Sequence, residues 1–139
     1  MNNILGFFII ISGYIIGLGA VTVIDILGFL GRKSSYWTEA TIRAHKVTKP
    51  LIWIGIFLVC IGGLILNIPQ YLFLIYFILA LNGLFLSFYV SPILLEIERK
   101  NKQNQLIPNP LQKKIVLSFI VSDLGWWGSL ILLLMFLNL

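Results

Sequence analysis

Two acids, Asp25 and Asp123, stand inside otherwise apolar runs and have the most chemistry to offer. An ionised carboxylate at the centre of a membrane-spanning helix costs roughly 2.5–3.5 kcal/mol on insertion scales, so each needs a compensating role. Taking the edge of the apolar runs at Gly31 and Ile115, about 1.5 Å per residue places Asp25 roughly 9 Å and Asp123 roughly 12 Å inside the same boundary. Similar depth lets them meet. Facing carboxylates in a low dielectric repel one another and settle on one shared proton. Thr22, Asn82 and Ser122 add hydroxyl and amide groups to this candidate intramembrane polar site, which would suit a proton or a small cation. The competing expectation is structural: Asp25 reaches back to Arg32, seven residues on, and Asp123 bonds to indole N–H groups or helix hydroxyls.

The remaining reactive side chains point to no catalyst. Cys60 is the single cysteine, so it has no intramolecular disulfide partner and reads as a small apolar filler. His45 is the only histidine and falls in a basic stretch, where it reads as an ordinary interfacial residue. Haem held between two histidines of one chain is therefore unsupported, and His/Cys metal spacing is absent. No nucleophile–base pair is visible, so no catalytic residue, metal or cofactor is expected. Trp126 and Trp127 lie deeper than an interfacial belt and read as packing groups.

The elements that would position the two acids are helices. A hydrophobic fraction of 59% and a mean hydropathy of +0.99 exceed those of ordinary soluble domains. All ten cations fall in two stretches: Arg32, Lys33, Arg43, Lys46 and Lys49, then Arg99, Lys100, Lys102, Lys113 and Lys114. Cationic loops are retained in the cytoplasm. The pattern predicts an all-α, four-transmembrane-helix bundle in one domain, residues 1–139, with spans about 4–31, 51–67, 71–95 and 115–137. Loops 32–50 and 96–114 are expected to be cytoplasmic and both termini outside, in a bacterial inner membrane. The net charge of +5 then meets the lipid bilayer rather than nucleic acid. No basic n-region precedes the first run, which reads as a retained helix rather than a cleaved signal peptide.

Small residues recur on one stripe of the first helix (Gly6, Gly13, Gly17, Ala20, Gly28, Gly31) and of the fourth (Ser118, Ser122, Gly125, Ser129). Gly13, Gly17, Ser118 and Gly125 are the expected close-packing positions. Between helices one and two, Glu39, Arg43, Lys46 and Lys49 share one face of an amphipathic cytoplasmic segment, with Ala40, Ala44, Val47 and Leu51 on the other. This segment either lies along the interface or extends helix two, and Pro50 either starts the span or interrupts a continuous helix. Pro108 and Pro110 are expected to break the chain before the last span.

Gly17-Leu-Gly-Ala-Val-Thr-Val-Ile-Asp25, Ile52-Trp53-Ile-Gly55 with Gly62-Gly63, and Leu81-Asn82-Gly83-Leu84 leading to Ser91-Pro92 resemble motifs of small four-helix bacterial membrane proteins of no assigned activity. Those proteins are distantly similar to membrane units of the copper resistance protein D type. The resemblance spans most of the chain, matches best at Asp25 and Asn82, and implies a four-helix membrane fold without an activity to transfer. The leading functional expectation is a non-enzymatic bundle that associates with itself or with another membrane protein. A small proton-coupled or cation transporter using Asp25 and Asp123 is the alternative. A redox or copper- or haem-related role comes third, because no histidine or methionine cluster lies within a span.

Overall fold

The computed structural model describes residues 2–69, 73–100 and 104–138, which are helical apart from short turns and contain no strand. The helices are α1 (Asn2–Leu30), α2 (Ser35–Ile65), α3 (Phe73–Phe85), α4 (Ser91–Arg99) and α5 (Asn109–Phe136). A π-helical turn, Leu86–Val90, joins α3 to α4 in one rod. Four rods result, each long and apolar enough to cross a membrane. At about 1.5 Å per residue, rods of this length exceed a hydrocarbon core of roughly 30 Å and project beyond it. Large side chains such as Phe8, Ile15, Phe57, Leu64, Phe88 and Leu124 point outward. Such a surface suits lipid, where the helices satisfy their own backbone groups.

The tightest seam joins α1 to α2. A Cβ on Gly13 would stand 2.8 Å from the Gly55 carbonyl oxygen, one on Gly55 2.7 Å from Gly17 Cα, and one on Gly62 2.8 Å from the Gly6 carbonyl oxygen. The backbones touch because no side chain intervenes. Gly17 also receives the Trp126 indole of α5, and Gly28 receives Phe119. The expected small stripe of α1 is thus filled within one chain.

Residues 35–65 form one helix with Pro50 inside it, so the amphipathic segment is the first half of α2 rather than a separate loop. The expected long connection shrinks to the turn at Gly31–Ser34, closed by Gly31 N–H to Leu27 O at 2.9 Å and Thr38 Oγ1 to Gly31 O at 3.3 Å. The face of this half that turns inward is neither the charged one nor the one that carries Val47 and Leu51. Thr38, Thr41, His45 and Thr48 are buried, whereas Val47 and Leu51 are exposed. Ala44, Val47 and Leu51 line an outward apolar groove with Ile15, Gly19 and Val23 of α1. In lipid the apolar face turns outward, and the hydroxyls turn inward because each has a local acceptor: Thr41 donates to Trp37 O and Thr48 to His45 O.

Pro92 has no N–H to return to the preceding turn. The π turn just before it accommodates this, with Ser91 N–H donating to Leu86 O, five residues back. The last rod begins earlier than residue 115. Pro110 sits in the first turn of α5, where a missing N–H is harmless, and the helix runs from Asn109. At the opposite end of the bundle, Asn67 takes a positive φ of 51° and Ile68 N–H bonds to Gly63 O. Tyr71 and Lys102, the expected start of the third span and a member of the second basic stretch, lie outside the described residues.

Candidate functional site

The antiparallel register of α1 and α5 decides where the two acids stand. Tyr14 bonds to Ser129, Gly17 packs on Trp126, and Gly28 lies against Phe119 and Ile115. That register sets Asp25 level with Ser118 and Asp123 more than a helical turn farther along α5, and Asp123 is the charged neighbour that acts on Asp25 across the seam. Both are half-buried, and Asp25 Oδ2 is buried without a hydrogen-bond partner. Two ionised carboxylates offer four acceptors and no donor. A bond between the two side chains therefore needs a donor that neither ionised form supplies.

Of the other members of the expected site, Thr22 and Asn82 are engaged with other partners. Thr22 is exposed and donates to Leu18 O of its own helix at 2.7 Å. Asn82 is buried at the α3–α5 seam, where Nδ2 donates to Val121 O at 3.3 Å and packs on Gly125. Ser122 is buried on α5. Ser118 is buried too and bonds to Ile115 O. The structural alternative for Asp25 is also not what the chain adopts. Arg32 lies over the Phe29 ring, 3.8 Å from its centroid, and its Nε donates to Phe29 O. The three ion pairs of the described residues are Arg43–Glu39, Lys46–Glu98 and Lys100–Glu96, and neither aspartate takes part.

Two buried polar groupings escaped the sequence reading. His45 is 3% exposed, not interfacial, and its Nε2 lies 2.7 Å from Ser91 Oγ. Nδ1 is buried with no partner. The two residues stand 46 positions apart, and the π turn places Ser91 on the buried face, so helical periodicity carried no signal for the pair. With serine and histidine both nearly inaccessible, the pair ties α2 to α4 and is closed to a substrate. The second grouping surrounds Trp126, which is fully buried: Tyr14 Oη donates to Ser129 Oγ at 3.1 Å, and Ser129 donates to Trp126 O at 2.8 Å. Tyr14 meets the indole edge-on at 6.0 Å. Trp127 is half exposed on the outer surface. Among the described residues no three of His, Cys, Asp and Glu cluster as metal ligands.

Compared with family models, with curated proteins and with solved structures, the chain matches none. The functional reading therefore rests on the geometry.

Proposed function

We propose that this chain is a small multi-pass membrane protein that takes up and releases a proton, or exchanges it for a small cation, at the Asp25–Asp123 pair. The observation that carries the reading is the approach of the two carboxyls across α1 and α5, with Asp25 Oδ2 left without a donor. A pair held only for packing would be more stable as two apolar side chains, since each acid costs energy in hydrocarbon. A shared proton is mobile, and a cation that replaces it meets two carboxylates. By the charge bias of its loops, the basic end faces the cytoplasm of a bacterial inner membrane and both termini face outward.

Self-association through the small-residue stripes has less behind it. Gly13, Gly17 and Gly125 are packed against Gly55, Trp126 and Asn82 of the same chain. A haem- or copper-related role would need His45, whose Nε2 is engaged by Ser91.

The test is proton flux in proteoliposomes loaded with a pH-sensitive dye, under imposed pH, Na+ and K+ gradients. Flux above that of empty vesicles, abolished in Asp25→Asn and in Asp123→Asn, is expected. Flux no faster than empty vesicles under every gradient, or undiminished in both variants, would sink the reading.

A further inference from the structure

The three glutamates are all engaged in ion pairs, Glu39 with Arg43, Glu98 with Lys46 and Glu96 with Lys100. Arg32 and Lys113 have no carboxylate partner among the described residues, and they line the same groove. This groove, about 480 Å³, opens at the basic end between the end of α1 and the start of α5. Its polar half carries Arg32, Lys113, Asn109 and Gln112; its apolar half runs along α5 through Val116, Leu117 and Ile120. The Arg32 guanidinium is held by Phe29, with Nε on the Phe29 carbonyl, and its terminal amines make no hydrogen bond among the described residues. Gln112 is held as well, Nε2 donating to Ile107 O at 2.7 Å. The first turn of α5 has no acid and no side-chain cap, so its positive end is uncompensated by the protein.

We infer that this groove binds an anionic phospholipid. The phosphate sits between Arg32 and Lys113 at the start of α5, and an acyl chain follows Val116, Leu117 and Ile120 toward the membrane interior. Charge and shape agree on that occupant. Two cations beside a helix N-terminus take a phosphate, and an apolar strip one helical turn further into the bundle takes hydrocarbon but not water. A free phosphate would use only the first half of the groove. The inference does not depend on proton handling by the aspartates.

The experiment is native mass spectrometry of the full chain in a mild non-ionic detergent. Equal amounts of dioleoylphosphatidylglycerol and dioleoylphosphatidylcholine are added, and the retained lipid is counted. One phosphatidylglycerol per chain is expected to be retained over phosphatidylcholine. Retention should fall about fivefold for each cation removed in R32Q and K113Q, from the usual strength of a cation at a lipid surface. R99Q/K114Q, which removes the same charge outside the groove, should retain the lipid. I120W, which fills the apolar half without altering charge, should lose it. Equal retention of the two lipids overturns the inference, as does a loss in R99Q/K114Q that matches R32Q/K113Q. Displacement of the lipid by millimolar inorganic phosphate also overturns it, by showing that the acyl strip contributes nothing.

Discussion

The Trp126 indole occupies the space that a side chain on Gly17 would need, and this contact locks α5 to α1 at mid-bundle. Gly17 is also against Gly55, so one glycine serves two neighbours. Gly17→Ala is expected to destabilise the bundle by about 1–3 kcal/mol through overpacking. Gly19 has nothing within 4 Å of a built Cβ, and Gly19→Ala should be neutral or stabilising by up to ~1 kcal/mol from helix propensity. Unfolding by denaturing detergent in mixed micelles separates the two; equal effects would show that the Trp126 contact is not what matters.

Beside that contact, Tyr14 donates to Ser129 across the α1–α5 interface. Tyr14→Phe keeps the ring against Trp126 and removes only the bond, at about 1 kcal/mol. Trp126→Ala empties the centre of the bundle and should cost about 3–5 kcal/mol. The ratio of the two losses in the same titration checks which of packing and bonding dominates; packing should.

His45 depends on Ser91 for the single side-chain bond of its ring. Ser91→Ala leaves both ring nitrogens buried without partners and is expected to cost about 1–3 kcal/mol. Adding His45→Leu to that variant removes the stranded groups and should recover much of the loss. A double-mutant cycle with no coupling between the positions would mean that the 2.7 Å contact contributes nothing to stability.

Replacing one acid of the facing pair by its amide supplies the missing donor permanently. In Asp25→Asn the introduced amide N–H can donate to the Asp123 carboxylate, a bond to a charged group worth about 1.5–3 kcal/mol. Asp25→Asn should therefore unfold at a denaturant concentration at least as high as the wild type while losing proton flux. Asp25→Ala, which leaves Asp123 alone, should be the less stable of the two variants. A less stable Asp25→Asn would mean that the carboxyls do not bond to each other.

Much of the fold was legible in the residues. Hydrophobic length and the confinement of cations to two stretches determined four helical rods and a basic end, because charged groups are excluded from a hydrocarbon core whatever the packing. That both acids stand inside the apolar rods was legible for the same reason: rise per residue is a local property. Which side of each helix faces inward was not. In α2 the threonines and His45 turned in while Val47 and Leu51 turned out, since lipid removes the ordinary preference for burying apolar groups. Which groups the two acids stand near was decided by the packing of α1 on α5, and the His45–Ser91 bond by the π turn ahead of Pro92. Those are contacts between residues far apart in the chain. Helical periodicity sets the stripes on each rod, but only the packing of one rod on another sets their phase and offset.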